Sequence, residues 1–363
     1  MAEAGPQTVL GRFDGAKFAY AGTISVFSKE KESPRVRTDG PDGKLHDYLV
    51  AYTFGVRPLQ QYLIPFPGGR LQALSVAWDS RPAEEGGQRW FHLYPDGKVD
   101  SRDVLHWTGP AQNWNFMCAD CHSTNVRKNW RVDREAYETT WSEIDVSCEA
   151  CHGPGSTHVA WARAPERGRV AKADSTGLAV ALDDPSGGGW IYAPGAPTAH
   201  RSAPRDPVPL LDACGRCHAR RSQIEDWHGA PLADSYRVAL LEEGLYEDDG
   251  QIRDEVYEYG SFVQSAMARS GVVCTDCHDP HSTGLHAPGN DVCGRCHLPG
   301  AFDTPSHHHH EVGGEGSRCV DCHMAKRFYM VVDARRDHSF RVPRPDLSAR
   351  IGTPNGEIRG TYE

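Results

Sequence analysis

The chain has 363 residues, 39% of them hydrophobic, and a formal net charge of -10; that is enough for one large or two modest domains but a thin apolar supply for an ordinary core. The acidity argues against nucleic acid as a partner and favours docking to basic proteins. No apolar run is long enough to cross a bilayer, and the start Met1-Ala-Glu-Ala-Gly-Pro-Gln-Thr lacks the basic and apolar stretches of a secretory signal.

Residues 1–107 contain no cysteine and read as β-structure. The β-rich runs Gly22–Phe27, Tyr48–Phe54, Leu71–Trp78 and Arg89–Tyr94 are separated by the turn signals Asp14-Gly15, Asp39-Gly40, Asp42-Gly43, Pro67-Gly68-Gly69 and Asp96-Gly97. An antiparallel meander is expected, forming a β-rich domain over 1–107.

Beyond it, all twelve cysteines fall in six copies of Cys-x-x-Cys-His. The copies are Cys118, Cys121 and His122; Cys148, Cys151 and His152; Cys214, Cys217 and His218; Cys274, Cys277 and His278; Cys293, Cys296 and His297; and Cys319, Cys322 and His323. Two thiols at this spacing add across the two vinyl groups of a haem, and the adjacent histidine becomes an axial ligand of its iron. Zinc sites also use Cys-x-x-Cys pairs but need no histidine directly after the second cysteine, and six such histidines in a chain with 19 do not arise by chance. A bridge within a motif would block attachment, and a thioredoxin-like pair would explain one copy. Six c-type haems are therefore expected, in a domain spanning 108–363 whose core is the porphyrins. The fold class is α+β, with a mainly helical and irregular haem region. Haem attachment is completed outside the cytoplasm, so a periplasmic or extracellular location is expected, with the signal removed, the start misassigned or the chain part of a longer gene.

First cysteines are separated by 30, 66, 60, 19 and 26 residues, so the last three haems should form one cluster. Residues 164–209, rich in Pro, Gly and Ala, read as an extended insertion, and helices are expected over Leu232–Leu245 and Glu255–Arg269.

The second axial position decides between electron carrier and enzyme, because a second histidine saturates the iron whereas an open position admits a substrate. Thirteen histidines lie outside the motifs. His281, three residues past His278, lies on the same side of that haem and can serve only a neighbour; His158 repeats this logic over a Gly-Pro loop. In the tract His307–His310, His308 is the chosen ligand with His307 close behind. His338 follows the sixth motif, and His106 and His92 flank the approach to the first. His46, His200, His228 and His286 read as structural or exposed, no methionine is placed as a ligand, and Trp107, Trp114, Trp130 and Trp141 are expected to wedge haem edges.

The run Asn113-Trp-Asn-Phe-Met-Cys-Ala-Asp-Cys-His-Ser-Thr-Asn125, the segment Cys148-Glu-Ala-Cys-His-Gly-Pro-Gly-Ser-Thr-His158, and Cys319-Val-Asp-Cys-His-Met324 leading to Asp337-His-Ser-Phe-Arg-Val-Pro-Arg-Pro-Asp346 resemble bacterial multihaem c-type cytochromes often fused to tetratricopeptide repeats. More distantly, the chain is similar to the tetrahaem cytochrome of ammonia oxidisers and the pentahaem nitrite reductases. Such proteins commonly carry a further haem motif ahead of the β-region and another after Thr-Pro-Asn; here Thr353-Pro354-Asn355 runs into Gly-Glu-Ile-Arg, so the chain reads as a middle piece or trimmed relative. The Cys-x-x-Cys-Lys site of nitrite reductases is absent. The resulting expectation is an electron carrier with mostly bis-histidine haems, serving redox partner proteins, a membrane-associated electron-transfer complex among them. The rivals are a reductase or oxidase of a small nitrogen or sulfur compound at one five-coordinate haem, and a haem-bearing module whose β-domain docks a larger complex.

Overall fold

A computed structural model describes residues 1–165, 176–227, 231–247 and 250–344; His228, Thr353-Pro354-Asn355 and part of the 164–209 insertion lie outside them. The architecture is α+β and divides into two units, residues 1–150 with 328–333, and residues 151–327 with 334–363. The first haem motif thus belongs with the β-rich region, and the division falls after Ala150 rather than after residue 107.

In the first unit, β2 (Ala16–Tyr20), β3 (Thr23–Glu30), β4 (Ser33–Asp39) and β5 (Leu45–Leu49) form a four-stranded antiparallel meander. A second antiparallel sheet has the order β1 (Ala2–Glu3), β6 (Tyr52–Phe54), β7 (Leu59–Phe66), β9 (Val76–Asp79), β10 (Arg89–His92), with β8 (Arg70–Ala73) also paired to β7. There are therefore two sheets where one meander was expected, because the runs Tyr48–Phe54 and Leu71–Trp78 each break into two strands.

Side chains alternate across a pleated strand, and β7 uses both faces. Tyr62 and Ile64 join Phe13, Phe27, Val36, Trp78, Trp90 and Trp107 in one core, to which both sheets contribute. Leu63, on the opposite face, joins Phe54, Ala73, Trp114, Ala119 and Val126. Phe27 stacks on Trp90 with centroids 3.6 Å apart, and Trp78 meets the same indole edge-on at 5.2 Å. Residues 328–333 bring Val332, with Met330 and Val331, onto Leu59, Ala77 and Phe91.

The second unit consists of short helices, two-stranded hairpins and loops around a small core of Leu211, Phe262, Val272 and Val273. The expected helix Leu232–Leu245 stops after one turn, Leu232–Ser235, and Tyr236–Val238 pairs instead with Arg221–Gln223. That pairing buries Tyr236 and lays the Arg221 guanidinium over its ring at 4.4 Å, a tertiary gain that overrides local helix preference. The helix expected over Glu255–Arg269 is two, Tyr257–Phe262 and Ala266–Arg269; the Ser265 hydroxyl between them accepts from Ala268 N at 3.0 Å and caps the second.

Phe27→Ala removes a fully buried ring from the larger core and is expected to destabilise the chain by about 3–5 kcal/mol. Denaturant unfolding followed by tryptophan fluorescence measures this, and a loss below about 1 kcal/mol would contradict the packing described.

Candidate haem centres

The first motif is held by buried amides. Asn113 caps the turn Trp114–Met117 by accepting from Phe116 N at 3.0 Å, and its side chain donates to Gln72 Oε1 at 3.1 Å. Asn115 Oδ1 accepts from Leu71 N at 2.7 Å, so Cys118 is delivered to the edge of β8. Phe54 stands edge-on to His122, centroids 5.6 Å apart, and Trp114 and Trp141 pack beneath the motif in a T-shaped pair at 5.7 Å. Trp107 belongs to the main β-core and donates to the Asp39 carbonyl at 2.8 Å, while Trp130 is exposed.

In the second unit, motif histidines meet histidines from elsewhere in the chain. His152 and His281 lie with ring centroids 6.4 Å apart and planes 17° from parallel. His278 and His338 are 6.4 Å apart at 33°, and His307 and His323 are 6.1 Å apart at 17°. A metal–nitrogen bond of about 2.0–2.1 Å on each side, plus the half-width of each ring, sets two imidazoles that share one metal about 6.3 Å apart. The three pairs therefore have the spacing at which one iron fits between them, and the residues present suit the group that the motifs imply.

None of the twelve cysteines is joined in a disulfide, and two cross-motif pairs of them adjoin. Cys214 and Cys274 hydrogen-bond each other, which pushes the Cys214 thiol up and holds Cys274 below its usual value. Cys293 and Cys319 do the same, with Cys293 pushed up and Cys319 lowered to about 7. The first cysteines of the third and fourth motifs, and of the fifth and sixth, thus stand side by side.

The motifs differ from one another in how far their cysteines are enclosed, although their spacing is identical. Cys121 lies half-buried in the turn Ala119–His122, where its N–H donates to Cys118 O at 3.2 Å. Cys322 is half-buried in the turn Cys319–His323, and it is Cys319, not Cys322, that meets the neighbouring motif. In the helix Cys148–His152 both Cys148 and Cys151 are exposed. Burial pushes the Cys277 and Cys296 thiols up, whereas Cys217 is half-buried at the end of the helix Val208–His218. The cysteines of the second motif are thus open to solvent and those of the other five are partly enclosed, because the tertiary packing around each helical turn differs.

The oxygens that orient the rings come largely from other segments. His152 Nδ1 donates to Val180 O at 3.2 Å, His323 Nδ1 to Arg341 O at 2.8 Å, and His338 Nδ1 to Arg336 O at 2.9 Å. His218 Nδ1 meets Glu258 Oε2 at 3.1 Å, and His297 Nδ1 lies 3.4 Å from the Thr198 hydroxyl. Bonding the second ring nitrogen fixes the tautomer and plane of an axial histidine. Two of these acceptors, Val180 and Thr198, lie in the segment expected to be a mere insertion. That segment also sends Trp190 and Arg205 to the Asp276 carboxylate inside the fourth motif, the Trp190 contact at 3.1 Å. Backbone acceptors carry no side-chain signal, which is why sequence reasoning missed them.

The remaining expected ligands fall elsewhere. His307, not His308, faces His323. His308 Nδ1 accepts from His310 N at 3.2 Å, and its Nε2 points toward Asp303 at 3.6 Å. His158 gives its Nδ1 proton to Thr176 O at 2.7 Å and stacks on Trp161. His106 is buried with its two nitrogens on the Thr108 hydroxyl (2.8 Å) and Asp39 (3.2 Å), which leaves neither for a metal. His92 is buried, stacked on Tyr20 at 3.5 Å, and accepts from Tyr94 N at 3.1 Å. His92 and His106 together line a polar pocket of the β-rich unit with Asp39, Ser25, Thr38 and Ser75; the expectation that they flank the first haem is corrected to a structural role there. His46 bonds Asp42 at 2.9 Å, His286 bonds Thr275 O at 2.9 Å, and His200 is exposed.

Six haem-attachment motifs, three of their histidines lying near a second imidazole at metal-bridging distance, are the features of a c-type cytochrome with several haems, and two segments of the chain are similar to families of that class. Residues 98–153 match the family model for cytochrome c554 and c-prime, and residues 266–301 match that for the doubled CXXCH motif. No curated protein and no solved structure matches the chain. Its chemistry is c-type haem electron transfer.

Burial lowers the His92 pKa from 6.5 to about 4. The folded state therefore binds this proton less readily than the unfolded chain. The stability this provides is complete above pH 6.5 and is lost as pH falls to about 4, by at most about 3 kcal/mol. Denaturant midpoints across that window should show the loss, and His92→Gln should flatten it; an unchanged slope would remove His92 as its source.

Proposed function

We propose that the protein carries six covalent haems, most of them ligated by two histidines, and works as an electron carrier outside the cytoplasm. The observation that carries this reading is the set of three histidine pairs with ring centroids 6.1–6.4 Å apart, each joining a motif histidine to one from another segment. His281 is read as the second ligand at the second motif, His338 at the fourth and His307 at the sixth. Bound haem supplies a one-electron couple, and a second imidazole leaves no open position for a small substrate. The protein's residues do the rest: cysteines anchor, histidines clamp from both faces, and carbonyls and hydroxyls hold the imidazole planes. Adjoining thiols in the third and fourth motifs, and in the fifth and sixth, support close contact between the attached groups and hence rapid exchange of electrons.

Compartment and partners follow from the same chemistry. Thioether attachment is completed outside the cytoplasm, and the net charge of -10 suits basic redox proteins. No helix among the described residues is long and apolar enough to cross a membrane.

Protein matured with a haem-attachment system should show six haem additions by mass spectrometry and bind little carbon monoxide when reduced. Fewer than five additions would sink the count, and stoichiometric carbon monoxide binding with sustained nitrite consumption would favour the reductase reading. His281→Ala should turn one low-spin haem high-spin in the EPR spectrum while the haem held by His278 stays low-spin. An unchanged spectrum would reject His281 as a ligand.

A further inference from the structure

The motif histidines differ in what their second ring nitrogen meets. His152 and His323 face peptide carbonyls and His297 a hydroxyl, all neutral. His218 faces a carboxylate, Glu258 Oε2, at 3.1 Å. A carboxylate draws the Nδ1 proton more strongly than a carbonyl does, which moves electron density toward Nε2 and makes the ring a better donor to a metal.

The contact is built into the packing of two helices. Val208–His218, which ends in the third motif, packs against Tyr257–Phe262, whose first turn carries Glu258. Gly215, between the two cysteines of that motif, permits the approach: a Cβ there would lie 2.7 Å from the Tyr259 ring. Asp212 ties the same face together, accepting from Leu232 N at 2.8 Å and from the Tyr259 hydroxyl at 3.4 Å. Just past His218, Arg220 N donates to Val256 O at 3.1 Å, which fixes the register of the two segments. Tyr257 immediately before Glu258 is held at φ +61°, a left-handed conformation that a bulky residue keeps only where its surroundings impose it.

We propose that Glu258 is a positioning and tuning residue for the third haem, lending its axial His218 anionic character and so making that haem harder to reduce than it would be with a neutral partner. The inference rests on the haem reading of the third motif. The couple concerned is the gain of one electron by that haem's iron from the donor in the titration, while the Nδ1 proton stays shared between His218 and Glu258 in both states.

The experiment is a mediated spectroelectrochemical titration of the six-haem protein and its Glu258→Gln variant, which keeps an acceptor of the same length but removes the charge. The third haem's wave should move to higher potential and move the most, since Glu258 also lies within electrostatic reach of His278 and His338, with its reduction equilibrium constant rising tenfold or more, equivalent to 59 mV for one electron. A Cys214→Ser/Cys217→Ser variant should lack that same wave, which assigns it. Glu258→Asp, keeping the charge but withdrawing the oxygen, should move the wave less and serves as the readout if the Gln variant does not mature. Unmoved waves in variants that retain every haem would overturn the role of Glu258 while leaving the haem reading intact. A wild-type protein with no haem on Cys214 and Cys217 would instead overturn the reading on which it rests.

Discussion

An imidazole can clamp a metal reliably only if its other nitrogen is bonded elsewhere and its plane is held, and the second unit is organised around that requirement. The acceptors for His152, His297 and His323 come from Val180, Thr198 and Arg341, positions 18 to 99 residues away in sequence. Each motif fixes its own cysteines and histidine locally, through one turn of helix such as Cys319–His323. Orientation of the ring needs a partner brought in by the tertiary fold. A small apolar cluster around Leu211 and Phe262 therefore coexists with many long-range polar contacts, and the segment 176–206 acts as a brace across the second, fourth and fifth motifs.

The first unit obeys ordinary rules. Its core of Phe13, Phe27, Tyr62, Trp78, Trp90 and Trp107 is aromatic and buried, and edge-to-face and stacked ring pairs give it shape as well. The reverse face of β7 presents Leu63 to the first haem motif through Trp114 and Ala119. A rigid sheet thus serves as the footing for one motif, which explains why the division of the chain falls beyond that motif.

Cysteine spacing and strand patterning were legible in the sequence because both are local codes. What failed was non-local. The breaks at Val50-Ala51 and Leu74-Ser75 arise from how strands pair, and the expected helix from Leu232 yields to a hairpin partner at Arg221–Gln223. The same limit applies within the motifs: identical spacing leaves Cys151 exposed but Cys121 and Cys322 half-buried, a difference that only packing decides. In the tract His307–His310, composition cannot choose among adjacent rings. The turn Pro305–His308 and the left-handed His309 aim His307 at His323 and leave His308 on Asp303. His92 and His106 misled for a related reason: an aromatic neighbourhood marks a buried histidine without saying whether protein or metal uses its nitrogens.

The pairing of His152 with His281 also bears on the order in which the protein can be completed. A chain exported from its N-terminus presents the second motif, with both cysteines and its own histidine, long before residue 281 emerges. Under the bis-histidine reading that haem waits with one face uncovered until the segment bearing the fourth motif arrives. Closing so long a loop carries an entropic cost that a cross-link recovers only when it forms, on the scale of about 5 kcal/mol for a covalent bridge of similar span. The second unit is then a structure that cannot be finished piece by piece: its early haem is sealed by its late sequence, so assembly is concerted and comes last.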